Sequence, residues 1–423
     1  MSFEKISVVG LGYIGLPTAA VFASRKKIVI GVDVDQKAVD TINRGEIHIV
    51  EPDLDIVVHA AVTEGYLKAT ITPEPADAFL IAVPTPFKDD HEPDLKYIEA
   101  ATKSIAPVIK SGDLVILEST SPVGATEQMS AWLSEARPDL TFPQSHGEES
   151  DIRVAHCPER VLPGHVIREL VENDRIIGGM TNRCSEAAIE LYKTFVNGDC
   201  VKTNARTAEM AKLTENSFRD VNIAFANELS MICDKQDINV WELISLANRH
   251  PRVDILQPGP GVGGHCIAVD PWFIVSQSPE DSKLIRSARE VNESKPRWVI
   301  EKVKQSVLAY IADIDKNLSP SVICYGIAFK PNIDDCRESP ALDIVAAICA
   351  GMGVDVLVVE PNVDSLPRSL MDLGAKKISV DQAVEFDGVH VVLVDHEEVL
   401  LQREKLAGKK YLVDTKGLIV EKK

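Results

Sequence analysis

The chain is poor in aromatic residues, 5% of its 423 positions, and short of positive charge: 45 Lys and Arg stand against 64 Asp and Glu, a net charge of -19. That acidity argues against nucleic acid or an anionic membrane as a bulk partner. It leaves room for a small phosphate-bearing ligand held in a local basic pocket. No apolar run approaches the ~20 residues that a membrane helix needs. The eight Cys are scattered, with no CxxC pair and no His/Cys cluster at metal-ligand spacing, so no bound metal is expected. A strand starting near residue 5 leaves no room for a signal peptide. Free thiols in a reducing compartment, the cytoplasm, are therefore expected.

What is present starts with Lys5-Ile6-Ser7-Val8-Val9, a β-branched run of buried-strand type. It leads directly into Gly10-Leu11-Gly12-Tyr13-Ile14-Gly15, and Leu16 to Ser24 reads as helix. Strand, tight turn and helix give GxGxxG its meaning. Gly10 makes the turn, Gly12 lets the backbone approach a pyrophosphate, and Gly15 lets helix and strand pack. The helix N-terminus then favours the phosphate charge. A second strand, Ile28 to Val32, ends at Asp33, where an acid suits the ribose hydroxyls of NAD and repels a 2′-phosphate.

The strand–helix rhythm continues through Ala78 to Val83 and Leu114 to Glu118. Thr85, Thr120 and Thr126 follow the carboxyl ends of these strands, where ligands sit in such sheets; each either meets a ligand or caps the next helix. Glu159 and Arg160 occupy a Pro-bounded turn, and Arg175 to Gly179 reads as another strand. From about Thr207 to Asp234 the pattern becomes one long helix without Gly or Pro. Lys212, Asn216 and Arg219 share a face of it, either as a solvated stripe or as a cation, an amide and a guanidinium offered to an anionic ligand. A shorter helix, Asn239 to Arg249, and a helical stretch, Asp281 to Ala312, come next. A polar run from Asp313 to Pro320 reads as a linker, and the rhythm then restarts with strands at Val322, Val354, Val389 and Tyr411. Lys330 and Arg337 lie just past the first strand of this second sheet. The expected fold is α/β: two Rossmann-like doubly wound parallel sheets joined by a long central helix. The expected domains are 1–203 for NAD, 204–312 as a central helical domain carrying Lys212 and Cys266, and 318–423 as a second such sheet, which either holds a nucleotide in another way or is a duplicate retained for packing.

One stretch remains, Pro258-Gly259-Pro260-Gly261-Val262-Gly263-Gly264-His265-Cys266-Ile267-Ala268-Val269-Asp270-Pro271. Gly allows close backbone approach and Pro stiffens the loop. Such a loop can mount a reactive thiol, or it can be a structural turn with a packed Cys. Beside an NAD site, a thiol makes chemical sense when an alcohol is carried to a carboxylate. The thiol adds to the intermediate aldehyde, and the adduct can lose hydride again. Lys212 then serves as base or oxyanion holder, Asn216 as a further donor, and Asp270 or Glu159 either orients Lys212 or activates water.

The motifs Gly10 to Pro17, Pro84-Thr85-Pro86, Glu118-Ser119-Thr120, Pro158-Glu159-Arg160, Lys212-Leu213-Thr214-Glu215-Asn216, Gly263-Gly264-His265-Cys266 and Phe329-Lys330-Pro331, in that order, resemble the UDP-glucose/GDP-mannose dehydrogenase family over nearly the whole chain. The resemblance implies a homodimer acting on a UDP-sugar with NAD, whose uronate product serves surface polysaccharide. It implies Cys266 as nucleophile, Lys212 as acid/base, Asn216 and Asp270 assisting, and Glu159 and Thr120 handling water. It implies nucleotide-sugar contacts from Arg160, Val161, Lys212, Asn216, Arg219, His250, Arg252, Gly263 and Lys330, with His250 and Arg252 reaching the partner subunit's site. Tyr13, Ile14, Asp33, Thr85, Thr126 and Arg337 match NAD contacts, with Gly10, Gly12 and Gly15. UDP-glucose enzymes carry Phe-x-Lys-Asp after the Cys; Ile267-Ala268-Val269-Asp270 here is similar to the branch acting on N-acetylated sugars. The rival readings are a UDP-glucose or UDP-N-acetylglucosamine 6-dehydrogenase, a two-electron 3-hydroxyacid-type dehydrogenase, and a non-catalytic nucleotide-sugar-binding protein.

Overall fold

The computed structural model describes residues 3–88, 91–161, 164–264, 266–313 and 320–419. The chain divides into two compact units, Met1–Glu215 and Asn216–Lys423. The boundary falls inside the helix Ala205–Lys235, which covers the long helix read from the sequence. Of the expected linker, residues 314–319 lie outside the described residues.

The first unit is built on eight strands: β1 (Lys5–Val9), β2 (Ile28–Val32), β3 (Leu67–Thr70), β4 (Ala78–Ile81), β5 (Leu114–Leu117), β6 (Arg153–His156), β7 (Arg175–Gly179) and β8 (Cys200–Asn204). Their order is β3-β2-β1-β4-β5-β6-β7-β8. The sheet therefore reverses direction between β1 and β4, the crevice where such sheets bind ligands. Side chains alternate along each strand. Ile6, Val8, Leu80, Leu114 and Ile116 enter one core with Leu16 and Phe22 of the helix Gly15–Ser24. Val9, Phe79, Ile81, Val115 and Leu117 enter another with Ile98, Met129 and Leu133. Both faces are thus covered, which is why these strands are apolar throughout. The pairing is parallel except for β6 with β7, which run antiparallel through Ala155 opposite Gly179 and His156 opposite Gly178. The connection stays at the carboxyl end of β6 and brings the chain back in the reverse sense.

The second unit repeats the plan on five parallel strands: β9 (Ser321–Tyr325), β10 (Asp355–Val359), β11 (Lys376–Lys377), β12 (Val389–Val392) and β13 (Leu412–Asp414), in the order β11-β10-β9-β12-β13. Val322, Cys324, Val356 and Val358 face one core; Ile323, Tyr325, Leu357 and Val359 face the other. The helix Pro340–Gly351 starts on a Ser339 side-chain cap, as Ser-Pro foretells. The turn after the first strand is duplicated too. Gly10 has φ +92° and donates to Val32 O at 2.8 Å; Gly326 has φ +86° and donates to Val359 O at 2.8 Å. A Cβ on Gly10 would stand 2.5 Å from Ala82 O, and one on Gly326 would stand 2.3 Å from Val394 Cβ. Each turn therefore needs glycine both for its backbone angle and for the strand packed against it.

Candidate active site

At the first turn, the carboxylate of Asp33 accepts from Leu11 N at 2.8 Å and from Asp35 N at 2.9 Å. The acid at the end of β2 thus pins the glycine turn while staying half-exposed. A Cβ on Gly15 would lie 1.7 Å from Gly10 O, so helix and turn touch backbone to backbone. A Cβ on Gly12 would meet no protein atom within 4 Å. Packing within the fold therefore does not require glycine there, and the open space leaves room for a ligand to approach the backbone. The helix Gly15–Ser24 begins at Ile14 with no side-chain cap, leaving first-turn amides for a ligand. These features fit the pyrophosphate and ribose of NAD: glycine backbone and helix N-terminus for the phosphates, Asp33 for the hydroxyls. Tyr13 and Ile14 are half-buried beside them.

Past β4 and β5, Thr85 and Thr120 are half-buried, and Thr85 Oγ1 has no hydrogen-bond partner among the described residues. Thr126 differs. It is fully buried, and its hydroxyl and amide donate to Glu209 Oε1 at 2.6 and 2.8 Å, with Gly124 N donating to Oε2 at 2.7 Å. Glu209 thus caps the helix Ala125–Ala136, which has no N-terminal side-chain cap of its own.

Behind Glu159 lies a buried charge cluster that strand and helix patterns did not foretell. Arg175, 4% exposed, enters from the start of β7. Its Nη2 lies 2.9 Å from Glu159 Oε2, out of line for a hydrogen bond, and its Nη1 lies 4.0 Å from Glu118 Oε1. The guanidinium stacks on Tyr192 at 4.9 Å, and Tyr192 donates to Glu118 Oε1 at 2.5 Å. Burial opposes the Arg175 charge most strongly, but Glu159, Cys157, Tyr192 and Glu118 together outweigh it and move the pKa up. One cation thus serves two carboxylates. Burial pushes Glu118 up to about 7, Arg175 opposing and Glu159 adding. Arg160 N donates to Glu159 Oε1 at 2.6 Å, and the Arg160 guanidinium pairs with Glu215 at 2.8 Å. Val161 is half-buried.

The folded state holds the Glu118 proton more tightly than the unfolded chain, whose value is near 4.5. The stabilisation from this group is full below pH 4.5 and is lost as pH rises through about 7. Above that, the buried anion costs about 3 kcal/mol at most. Glu118→Gln, neutral at every pH, is expected to raise the thermal midpoint at pH 8 and leave it unchanged at pH 5. Calorimetry at the two pH values checks this; an equal shift at both contradicts it.

In the second unit, Cys266 is exposed, whereas the other seven Cys are buried or half-buried. Burial pushes Cys157, for comparison, up to about 12. Cys266 O accepts from Val269 N and Asp270 N at 3.1 and 2.9 Å, so the thiol sits on a turn that winds into the helix Asp270–Gln277. The four-residue spacing therefore sets Asp270 at the first residue of that helix. It is 3% exposed, and Asn216, 5% exposed, donates to its Oδ2 at 2.5 Å. The glycines before the thiol are required by packing. A Cβ on Gly263 would stand 2.4 Å from Glu338 O, and one on Gly264, at φ +84°, would stand 3.1 Å from the Phe329 ring. Farther back, Gly259 N donates to Asn227 Oδ1, which begins a buried network through Asn292 to Asp220 and Arg289. The thiol loop is thus anchored at both ends. On the long helix Lys212 is half-buried and Arg219 exposed. Lys330 is half-buried, while Arg337 is exposed and forks onto Asp335 at 2.9 and 2.6 Å. His250 and Arg252 are exposed on one turn, Arg252 N donating to His250 Nδ1 at 3.3 Å.

A dinucleotide turn in one sheet, a second nucleotide-type sheet, and an exposed thiol on a braced glycine loop define a thiol-bearing dehydrogenase of the double-Rossmann class. The chain belongs to the UDP-glucose/GDP-mannose dehydrogenase family: residues 4–196 match its NAD binding domain, 206–294 its central domain and 323–421 its UDP binding domain. NAD is its cofactor. The chain is 65% identical over 419 residues, 99% of it and all of the relative, to a UDP-N-acetyl-D-mannosamine dehydrogenase of Yersinia pestis. It is 64% identical to an NDP-N-acetyl-D-galactosaminuronic acid dehydrogenase of Ralstonia nicotianae, covering 99% and 97% of the two chains. Among solved structures, a UDP-D-ManNAc dehydrogenase from Pyrococcus horikoshii superposes with a TM-score of 0.87 at 38% identity, covering 99% and 96%.

Proposed function

We propose that the protein oxidises C6 of UDP-N-acetyl-D-mannosamine to the carboxylate, removing four electrons. The observation that carries this is the exposed Cys266 on its braced loop, beside the buried Asn216–Asp270 pair. NAD supplies the hydride acceptor, two molecules per sugar. Lys212 takes the C6 hydroxyl proton in the first oxidation. Cys266 then adds through its thiolate to the aldehyde, and the hemithioacetal oxygen draws hydrogen bonds from Lys212 and Asn216. Loss of the second hydride leaves a thioester on Cys266. Water oriented by Glu159 and Thr120 cleaves it, freeing the thiol and the uronate. The balance is RCH₂OH + 2 NAD⁺ + H₂O → RCOO⁻ + 2 NADH + 3 H⁺. Arg160, Val161, Arg219, Gly263 and Lys330 hold the nucleotide sugar in this reading. Thr85, Thr126 and Arg337 attend NAD, with Thr126 acting through the Glu209 clamp.

Relatives at 65% and 64% identity are named for two different amino sugars, so the sugar is settled by assay rather than by identity. With UDP-N-acetylmannosamine, UDP-N-acetylgalactosamine, UDP-N-acetylglucosamine and UDP-glucose in parallel, kcat/KM is expected to be at least about tenfold highest for the mannosamine, about 1.4 kcal/mol of transition-state preference. A higher value for another sugar replaces it. The second sheet and the loop chemistry are common to all four.

The same reading includes a homodimer. Phe218, Phe225 and Ile232 repeat every seven residues along the long helix and are 68%, 50% and 45% exposed. A stripe of that kind is commonly covered by another subunit. His250 and Arg252 then reach the neighbouring site. Among the described residues no helix is long and apolar enough to cross a membrane. A reactive thiol that must stay reduced favours the cytoplasm.

A further inference from the structure

The acid at the end of the second strand has opposite fates in the two sheets. In the first, Asp33 is half-exposed; in the second, Glu360 is fully buried. Glu360 Oε2 accepts from Ile327 N at 2.8 Å and Ala328 N at 3.1 Å, and Oε1 accepts from Asn362 N at 3.3 Å. What closes Glu360 off is His396, whose Nε2 lies 3.1 Å from the same Oε2, both side chains being fully buried. The other ring nitrogen, Nδ1, accepts from Asn332 N at 3.0 Å. A backbone amide can only donate, so Nδ1 carries the lone pair and the ring proton belongs on Nε2, facing the carboxylate. Asn362 Nδ2 lies 2.9 Å from the same Nδ1 and fits this tautomer as a second donor.

Glu360 and His396 therefore pin the two ends of one turn, Ile327 and Ala328 at its start and Asn332 at its end. Asn332 sits at φ +61°, and its Oδ1 accepts from Glu397 N at 3.0 Å, tying it to the residue after His396. Between the pins lie Phe329 and Lys330. Gly264 of the thiol loop packs on the Phe329 ring and Gly263 on its Cβ. Glu338, farther along the same connection, accepts from Gly264 N at 3.2 Å. A small shift of the turn would move the Lys330 ammonium and the seat of the thiol loop together.

We propose that His396, held as its Nε2–H tautomer against Glu360, is a positioning residue for the nucleotide sugar: it sets the Phe329–Lys330 turn on which the thiol loop rests. Both acids grip their own turn, but in this sheet the histidine closes the carboxylate off, whereas Asp33 is left half-exposed. The inference rests on the reading that Lys330 meets the nucleotide sugar.

Steady-state kinetics on the full-length enzyme test it. His396→Ala removes both the acceptor for Asn332 N and the donor to Glu360; His396→Asn keeps an acceptor near Asn332 N, and His396→Gln keeps a donor toward Glu360. Glu360→Gln, nearly isosteric, carries the test if the His396 variants fail to fold. The expected result is a KM for the UDP-hexosamine raised at least about tenfold in the Ala variant and about threefold in the others, with KM for NAD within twofold of the parent. Binding of UDP alone, followed by calorimetry, should weaken in parallel. A sugar KM unchanged in every soluble variant, or one that rises only in step with the KM for NAD, overturns the proposal. If the parent enzyme itself forms no NADH with any UDP-hexosamine, it is the functional reading that fails; a working parent with unmoved variants defeats only the positioning role.

Discussion

Cys266→Ser is expected to lower uronate formation by at least about 10³-fold, ~4 kcal/mol of barrier. A serine hydroxyl is a far weaker nucleophile at neutral pH than a thiol that is partly ionised. The first hydride transfer does not use sulfur, so single-turnover mixing should still give NADH, up to one per active site, with the sugar held as aldehyde or as a trapped adduct. Rapid-quench analysis of products checks both halves of the expectation. Uronate at the parental rate would show that the exposure of Cys266 has no bearing on the chemistry. Attack by a different cysteine offers no escape, since burial pushes Cys157 and Cys324 up and leaves Cys266 as the exposed thiol.

Gly15→Ala is expected to have the second largest effect. A Cβ there would overlap the Gly10 carbonyl oxygen, which is backbone and cannot swing aside as a side chain would. The turn must open, and the amides that face the pyrophosphate move with it. A loss of NAD affinity of at least about 100-fold is expected, ~3 kcal/mol, with UDP binding in the second unit unchanged. Gly12→Ala is the contrast, because its Cβ meets no protein atom. That variant should fold as the parent does and lose NAD affinity through collision with the ligand alone. Fluorescence titration with NADH, alongside thermal denaturation, separates the two. Equal melting temperatures and equal affinities in both variants would contradict the geometry.

The parts legible in the sequence are those whose physics is local. Val9, Gly10 and Asp33 announce a dinucleotide turn because strand, glycine and acid must follow one another at fixed spacing. Ser339-Pro340 announces a helix start for the same reason. Cys266 stood out because Gly and Pro crowd around it, although its exposure became known only with the fold. The strand β3, Leu67–Thr70, alternates over only four residues, too few to stand out, and β11 is two lysines whose pairing comes from β10. Neither could be read locally. Arg175 looked like the charged end of a strand; only the antiparallel return of β7 brings it between Glu118 and Glu159. Thr126 was placed correctly at a strand's carboxyl side, but its hydroxyl is taken by Glu209, a residue 83 positions later. Glu360 and His396 are likewise 36 residues apart, and nothing in either neighbourhood signals the other.

The most direct test of the whole account is a count of NADH formed per UDP-N-acetylmannosamine consumed, with NAD in excess and the product identified by mass. Two NADH and a uronate are predicted, since the thiol exists to make the second hydride transferable. One NADH, with an aldehyde or ketone as the end product, would contradict it and leave Cys266 without a chemical task.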